Sequence, residues 1–430
     1  MTTEILSSQK IQALRGEVAS AERIVIKIGS SSLTGPDGRL SVENLTALVE
    51  VVAERISQGH QVVLVTSGAV AAGLAPLGLT TRPKDLATAQ AAASVGQGLL
   101  IARYTAAFAV HDLQVGQILL TADDTKRNGH YRNAQRSLDQ LLDLGVIPII
   151  NENDAVATEE IRFGDNDRLA ALVAHIVRAD AMILLTDVDG LYDGPPTRAG
   201  TKRIGAVSNF GQIANVEVTS KGSSVGTGGM VTKLESVRIA SASGIPVILT
   251  LAANVRDALL GREVGTFFMA TGNRMSRKRL WLAYAATSAG RVVLDDGAVR
   301  AVLAGEASLL PAGVTGVDGK FSKGDPVDLV SQDGKVIGRG LAGFNAGEIP
   351  ELIGHSTAEL RDSHGNGYDR ALVHRDDLVL HTRPVRKDPS ITPKNGVKSK
   401  ANKKARAKAA RLKQATAQEA AANQTVSSNE

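Results

Sequence analysis

Two short segments of this chain, residues 151–156 (NENDAV) and 163–167 (FGDND), concentrate acidic and amide side chains. Together they supply four carboxylates and three amides within 17 positions: Glu152, Asp154, Asp165, Asp167, Asn151, Asn153 and Asn166. Clustered carboxylates repel one another unless they are solvated, paired with cations or bound to a metal. The first segment follows an apolar run at 146–150, and open α/β sheets place ligand sites beyond the carboxyl ends of such strands. The alternative is a polar loop of turn-forming Asn and Asp.

A lysine near the end of a second apolar run is a candidate phosphate ligand. Residues 24–31 (IVIKIGSS) place Lys27 just before Gly29 and Ser30. A glycine lets backbone N–H groups approach a phosphate closely, and a neighbouring lysine neutralises its charge. This segment is neither a GxxxxGK[ST] loop nor a GxGxxG fingerprint. The alternative is therefore a lysine that extends into solvent from a strand end.

Residues 62–70 (VVLVTSGAV) repeat this arrangement and place Ser67, Gly68 and Ala69 at the start of the next predicted helix. Helix N-termini built from small residues bind anions such as carboxylates. Ser67 could instead be an ordinary N-cap. No GxSxG nucleophile elbow surrounds it.

Two further segments are candidates for nucleotide binding. Thr186 and Asp187 follow the apolar run 182–185, where contacts to a base or ribose compete with a simple turn. Residues 226–233 form a glycine-rich loop that leads into a helix, and a mobile linker is the alternative there. Glycine-rich loops of this kind cradle phosphates, and the residues concerned are Thr227, Gly228, Gly229, Met230, Val231, Thr232 and Lys233.

These residues together meet the requirements of phosphoryl transfer, which needs positive charge around the moving phosphate and little covalent help. One lysine about 4 Å from a phosphate oxygen contributes roughly 4 kcal/mol at an effective dielectric of about 20. Two lysines and a divalent ion are therefore sufficient, and the carboxylates would orient those cations. No residue pattern indicates hydride transfer, and no suitable His or Ser constellation indicates hydrolysis.

The elements that must position these residues follow an alternating pattern. β-Branched runs at 24–28, 62–65, 146–150, 182–185 and 246–249 are separated by helical stretches such as 42–58, 84–111 and 132–144. Runs that are apolar on both faces and separated by helices predict an α/β fold, with an open, mostly parallel sheet sandwiched by helices. The stretch 84–111 is predicted to be a buried helix. Its Gln90, Gln97 and Tyr104 are expected to pack or form an interface rather than to do chemistry.

The chain divides into five predicted regions. They are an N-terminal extension (1–20), an α/β domain (21–270), a basic linker (271–289), a small, mostly β domain (290–382) and a basic low-complexity tail (383–430). In the β domain, Asp333-Gly334 predicts a hairpin. The tail lacks aromatic residues and is expected to be disordered or transiently helical.

Composition sets outer limits on function. The chain is 43% apolar but only 3% aromatic, and it has no cysteine, which excludes disulfides, thiol catalysis and cysteine-ligated metal. No apolar run reaches the ~18 residues of a membrane span and no leader peptide is recognisable, so we expect a soluble cytoplasmic protein. The net charge of +5 is uneven, because the tail holds 12 Lys and Arg against 3 Asp and Glu, which leaves −4 on the other residues.

From residue 24 to about 382 the motifs resemble the amino acid kinase family. The segments that carry the resemblance are IKIGSS, VTSGAVAAG, GQILLT, NENDAV with FGDND, LLTDVDGLY, GTGGMVTK and VHRDD. NENDAV with FGDND is the most specific of them. The small β domain is similar to a PUA module. This combination favours the family members that phosphorylate the γ-carboxylate of glutamate, in the first step of proline synthesis.

The resemblance implies a role for each matching residue. Lys27 and Lys233 would stabilise the transferred γ-phosphate, while Asp165 and Asp167 would orient these lysines and help organise Mg²⁺, with no direct metal ligand assigned. Amino acid binding is implied for Ser67, Asp154 and Asn166, with Gly68 and Ala69 near the substrate carboxylate. ATP binding is implied for Lys27, Gly29, Ser30, Thr186, Asp187 and the loop 227–233. It also implies inhibition by proline, and we expect a homo-oligomer.

Two alternatives remain open. A relative acting on aspartate, acetylglutamate, carbamate or UMP would share the same catalytic residues. An RNA-binding protein is the alternative from another class, because PUA-like modules elsewhere bind RNA. Residues 290–382 hold 9 Lys and Arg against 14 Asp and Glu, and this excess of negative charge opposes phosphate-backbone binding. The tail could bind nucleic acid or an anionic surface nonspecifically, or could simply be solvated.

Overall fold

The computed structural model describes residues 8–35, 39–121, 124–125, 127–156, 166–214, 216, 229–271, 276–305, 307–365 and 367–380. All of them belong to one compact unit, Met1–Thr382. The predicted site residues Asp165, Thr227 and Gly228 lie outside the described residues, as does the tail 383–430. No helix in the described ranges is long and apolar enough to cross a membrane.

Nine α-helices and eight strands are described in the chain up to residue 271. The helices are α1 (Ser8–Ala19), α2 (Ser30–Leu33), α3 (Val42–Ser57), α4 (Ala69–Leu74), α5 (Leu86–Ala109), α6 (Asn128–Asp143), α7 (Asn166–Ile176), α8 (Met230–Ala242) and α9 (Val255–Leu259). The strands are β1 (Arg23–Ile28), β2 (Gln61–Val65), β3 (Val115–Leu120), β4 (Ile147–Glu152), β5 (Ala181–Thr186), β6 (Ala206–Val207), β7 (Val247–Leu251) and β8 (Thr266–Phe268).

The eight strands form one sheet in the order β3-β4-β2-β1-β5-β7-β8-β6. All neighbours pair in parallel except β7 and β8, which are antiparallel. The predicted fold class, an open and mostly parallel sheet between helices, is therefore confirmed. The sheet grows outward from β1 in both directions, because β2 and β4 lie on one side of β1 and β5 and β7 on the other.

Helices cover both faces of the sheet, and this explains why its strands are apolar on both sides. On one face Val25 of β1 lies in a core cluster with Leu138 of α6, Leu169 of α7 and Val237 of α8. On the other face Ile26 packs with residues of α1, α3, α5 and α9. Alternate side chains of each strand thus belong to different cores. This alternation decides on which face a polar residue at a strand end is presented.

The prediction that residues 84–111 form a buried helix is correct for one side of α5 and wrong for another. Val95 and Leu99 are 38% and 42% exposed, whereas Leu100 and Tyr104 are completely buried. Helix α5 packs very closely on α4 at Ala92, because a Cβ on Gly73 would lie 1.9 Å from the carbonyl oxygen of Ala92. A helix rich in alanine has no strong polar side, so its composition could not show which side is exposed.

A second sheet follows, in the order β10-β9-β11-β12-β13. Its strands are β9 (Gly290–Leu294), β10 (Val314–Gly319), β11 (Pro326–Ser331), β12 (Val336–Leu341) and β13 (Leu378–Leu380), and the helices beside it are α11 (Asp296–Leu303), α12 (Ile349–Leu352) and α13 (Thr357–His364). Strands β11 and β12 pair antiparallel, and Gly334 at their turn has a φ of 84°. The hairpin predicted at Asp333-Gly334 is therefore confirmed.

Between the two sheets lies a connecting segment, residues 276–289, which contains α10 (Arg277–Leu280) and a π-helical turn, Trp281–Ala285. Trp281 and Leu282 are buried in the same core cluster as Leu341 of β12 and Val379 of β13. The small β domain is thus packed directly against the α/β domain through this segment.

The N-terminal extension is anchored by a buried arginine on α1. Arg15 is 1% exposed and lies with its guanidinium 5.6 Å from the centre of the Phe267 ring. It donates hydrogen bonds to four backbone carbonyl groups, those of Gly205, Arg262, Val264 and Gly265. These contacts therefore attach α1 to the residues that directly precede β6 and β8.

We expect Arg15→Met to lower the free energy of unfolding by about 3 kcal/mol, because the buried carbonyl groups lose a charged donor. Urea denaturation at pH 7 measures this change. Arg262→Met is the matched control, since its side chain is 64% exposed and pairs with Asp257. We expect the control to cost less than about 0.5 kcal/mol. Equal losses in the two variants would contradict a structural role for Arg15.

Candidate active site

Four neighbouring strands of the large sheet end at the same edge, and each is followed by polar residues. In spatial order they are β4, β2, β1 and β5, which lead into Asn153, Thr66, Gly29 and Asp187. The chain order reverses at β1, so this edge is the topological switch point at which open α/β sheets bind ligands.

One carboxylate bridges two lysines at this edge. Asp167 Oδ1 lies 2.6 Å from Lys27 Nζ, and Asp167 Oδ2 accepts a hydrogen bond of 3.0 Å from Lys233 Nζ. Lys27 and Asp167 are each 1% exposed, and Lys233 is 9% exposed. We call these three residues the Lys–Asp–Lys bridge. Its formal charge is +1, so it can hold a further anion.

Three different elements deliver this bridge. Lys27 is the fifth residue of β1 and shares a face with Val25, which is the face covered by α7 and α8. Asp167 lies in the first turn of α7, where the helix dipole favours a carboxylate. Lys233 lies in the first turn of α8, which directly follows the glycine loop. The lysines are 206 positions apart in the chain, and the sheet brings them together.

A chain of amide groups lies beside the bridge. Asn166 Nδ2 donates to Asn151 Oδ1 at 2.7 Å, to the carbonyl oxygen of Thr66 at 2.6 Å and to Ser67 Oγ at 3.0 Å. Asn151 Nδ2 in turn donates to Gln97 Oε1 on α5 at 2.7 Å. These contacts tie the ends of β2 and β4 to the start of α7.

Two polar atoms of this amide chain are buried without a hydrogen-bond partner among the described residues. They are the Oδ1 acceptor of Asn166 and the Nε2 donor of Gln97. Buried polar atoms are normally satisfied, so these two atoms are exceptions, and both belong to the amide chain beside the bridge.

Tyr104 supports the same region from α5. Its hydroxyl lies 3.0 Å from Thr66 Oγ1. Burial raises the pKa of Tyr104 to about 12, although the hydrogen bond with Thr66 opposes the shift. The phenol is therefore neutral at physiological pH and acts as a structural hydrogen-bonding group.

Comparisons with known proteins show the family of this chain. The model of the amino acid kinase family matches residues 22–250, and that of the PUA domain matches residues 290–364. A glutamate 5-kinase of Streptomyces avermitilis is 58% identical over 372 residues, which cover 86% of this chain and 99% of that protein. This chain belongs to the amino acid kinase family, among the glutamate 5-kinases.

Another relative and one solved structure illustrate what this chain is similar to. A glutamate 5-kinase of Streptomyces coelicolor is 59% identical over 367 residues, covering 85% of this chain and 98% of that protein. A solved carbamate kinase from Giardia lamblia bound to AMP-PNP is a structural neighbour. It covers 58% of this chain and 99% of its own, with a TM-score of 0.44 and 16% identity.

The residues after β2 are placed differently from the N-cap alternative. Gly68 is the N-cap of α4 and has a φ of 101°, a conformation that favours glycine. Ser67 instead accepts the hydrogen bond from Asn166. Ala69 is buried as the first residue of α4, and Asp154 is half-buried just beyond β4. Of these predicted substrate-binding residues, Ser67 contacts the amide chain, and the binding roles of all of them stay predictions.

The predicted ATP ligands lie at the ends of β1 and β5 and at the start of α8. Gly29 is the N-cap of α2, which begins at Ser30, and a Cβ on Gly29 would lie 3.6 Å from Lys27 Nζ. Thr186 is buried and donates to Asp187 Oδ1 at 2.9 Å. Of the predicted ATP ligands at 227–233, the structure describes Gly229, which is the N-cap of α8, and Met230, Val231, Thr232 and Lys233, which form its first turn.

Two of these residues show how α8 begins. Val231 is 50% exposed, and Thr232 donates to the carbonyl oxygen of Gly229 at 2.8 Å. Thr227 and Gly228, like the predicted catalytic residue Asp165, lie outside the described residues. The ATP-binding role of the whole loop therefore stays a prediction.

The described residues contain no group of three or more His, Asp or Glu side chains that could enclose a metal ion. Mg²⁺ typically keeps several waters and takes one or two carboxylates together with substrate phosphates. Carboxylates at this edge, such as Asp187 after β5, are oxygen donors of the kind that an ion bound together with ATP would use.

Two residues of this site were not predicted from the sequence. Asn151 was counted in the acidic cluster without a role, and Gln97 was expected to pack or form an interface. A glutamine on an alanine-rich helix is a possible signal, because a polar side chain among small residues needs a partner. Its partner, however, comes from a strand 54 positions away.

Proposed function

We propose that this chain transfers the γ-phosphoryl group of ATP to the γ-carboxylate of L-glutamate, giving L-glutamyl 5-phosphate and ADP. This is the activity named for its relatives, and it is the first step of proline synthesis. The observation that supports it most directly is the Lys–Asp–Lys bridge, which is buried, carries a net positive charge and lies beside an amide-lined site.

In the proposed reaction an oxygen of the ionised γ-carboxylate attacks the γ-phosphorus, and the bond to the β-phosphate oxygen breaks. The leaving oxygen of ADP takes the electron pair. No proton must be removed from the nucleophile, because a glutamate carboxyl is ionised at neutral pH. The protein therefore needs no general base, and its task is to position the substrates and stabilise charge.

Each described residue has a defined part in this proposal. Lys27 and Lys233 neutralise charge on the moving phosphoryl group, and Asp167 holds both amines in place. Asn166, Ser67 and Asp154 bind the amino acid, with Gly68 and Ala69 near its carboxylate. Magnesium supplied with ATP would neutralise phosphate charge during transfer. Chelation of the metal with EDTA should stop ADP release.

The function is tested by offering purified protein ATP, Mg²⁺ and one acceptor at a time. We expect glutamate-dependent ADP release and an acyl phosphate that hydroxylamine traps as the hydroxamate. Aspartate, acetylglutamate, carbamate and UMP are the competing acceptors. Faster ADP release with any of these than with glutamate would overturn the assignment.

Two finer properties also remain proposals. Proline is proposed as an inhibitor, and this would be contradicted if millimolar proline left the rate at subsaturating glutamate unchanged. A homo-oligomer is proposed because α5 exposes Val95 and Leu99, which a second copy could cover. Light scattering that reports only a monomer at micromolar concentration would exclude it.

The remaining predictions concern location and the tail. A cytoplasmic location is proposed on the absence of cysteine, which fits a reducing compartment, and cell fractionation tests it. Nonspecific contact of residues 383–430 with nucleic acid is proposed on their charge of +9. Retention on nucleic acid that is salt-sensitive and lost on deletion of this tail would support it. Retention that survives the deletion would instead indicate RNA binding elsewhere in the chain.

A further inference from the structure

Arg168 joins the two helices that carry the Lys–Asp–Lys bridge. It directly follows Asp167 on α7, and its Nη1 donates to Glu235 Oε1 at 2.8 Å. Glu235 lies on α8, two residues after Lys233. The Arg168–Glu235 contact therefore joins α7 and α8 close to Asp167 and Lys233.

The second arm of the same guanidinium reaches the connecting segment. Arg168 Nη2 donates to the carbonyl oxygen of Tyr284 at 2.6 Å. Tyr284 belongs to the π-helical turn Trp281–Ala285. The rigid, planar guanidinium of Arg168, which extends from α7, thus contacts both α8 and the segment that leads to the small β domain.

The small β domain in turn holds the connecting segment. Arg339 of β12 donates to the carbonyl oxygen of Ala286 at 2.5 Å and pairs with Asp328 at 2.8 Å. Lys278 forms an ion pair with Asp377, and Arg279 Nε donates to the carbonyl oxygen of Leu378 at 3.2 Å. The β domain therefore contacts residues on both sides of the π-helical turn Trp281–Ala285, to which Arg168 donates its hydrogen bond.

We propose that Arg168 is a positioning residue through which the small β domain holds the Lys–Asp–Lys bridge in its active geometry. The inference rests on the proposed kinase function. The Arg168 and Glu235 side chains are 39% and 56% exposed, and ion pairs that are this exposed contribute little to stability. The two hydrogen bonds of Arg168, to Glu235 and to the carbonyl oxygen of Tyr284, instead set the orientation of α8 against α7. Misplacement of a reacting group by about 1 Å can lower a rate about 100-fold.

The experiment compares Arg168→Met, Arg339→Met and the double variant, measuring kcat, KM for glutamate and thermal midpoint. We expect Arg168→Met to lower kcat about 10- to 30-fold, because α8, which carries Lys233, is then held less precisely against α7. KM for glutamate should change less than about twofold, because the amide chain is not touched. Arg168→Lys should recover only part of the loss, since an ammonium cannot span both acceptors.

Coupling is read from the double variant. If Arg339 acts through Arg168, the double variant should be no slower than Arg168→Met alone, whereas independent effects would multiply. Arg361→Met is the matched control in the β domain, because its pair with Asp369 does not reach the connecting segment. We expect it to keep the wild-type kcat.

Three outcomes would overturn the proposal. They are an unchanged kcat in Arg168→Met, a multiplicative loss in the double variant, and a kcat loss that only follows the fraction of unfolded protein. Failure of the function itself would look different. Wild-type protein would then prefer another acceptor, and the same variant comparison would be made with that acceptor.

Discussion

Replacing Lys27 or Lys233 by alanine is expected to lower turnover about 1000-fold or more. Each ammonium placed about 4 Å from a phosphate oxygen contributes roughly 4 kcal/mol at an effective dielectric of about 20. That energy corresponds to about three decades in rate. Single-turnover formation of ADP at saturating ATP and glutamate measures the chemical step directly.

The two lysine variants should differ in stability. Lys27 is 1% exposed, so its removal leaves Asp167 as a buried carboxylate with fewer partners, and we expect a cost of about 3 kcal/mol. Lys233 is 9% exposed and lies nearer solvent, so its loss should cost less. Lys335→Ala, in the exposed hairpin turn of the β domain, is the control and should keep full activity. A near-normal rate in either lysine variant would show that this amine does not meet the phosphate.

Asp167→Asn is expected to have the second largest effect, with turnover falling about 100- to 1000-fold. The substitution preserves shape but removes the anion between two buried amines. Their repulsion is then uncompensated, so the free energy of unfolding should also fall by about 3 kcal/mol. Steady-state kinetics and urea denaturation measure the two losses.

The control for this variant is Asp193→Asn. Asp193 is exposed and accepts a hydrogen bond from the backbone N–H of Lys202, away from the bridge. We expect it to change turnover less than about twofold. If Asp167→Asn were as active and as stable as this control, the bridge would not be the centre of the site.

Much of the fold follows from local patterns that the sequence displays directly. Strands such as β1 and β5 are apolar on both faces because helices cover both, and this pattern predicted the parallel sheet. The polar residues that follow β1, β2, β4 and β5 were equally visible. Because parallel strands end at one edge, their convergence was a sound expectation.

Other features depend on the order in which the strands lie, which local patterns do not encode. Neither the pairing of β1 with β5 nor the contact of α7 with α8 can be derived from periodicity. The link between Gln97 and Asn151 crosses from a helix to a strand, and the helix composition suggested only packing or an interface. No sequence motif marks Arg168.

By itself, the sequence determined the local chemistry: which strands end in polar residues, which loops are rich in glycine, and which residue types could handle a phosphate. Only the tertiary structure decided that a single carboxylate binds both Lys27 and Lys233, and that Arg168 connects their helices to the second domain. The physical reason is that hydrophobic patterning acts over a few residues, whereas a polar contact across the core is set by how whole elements pack.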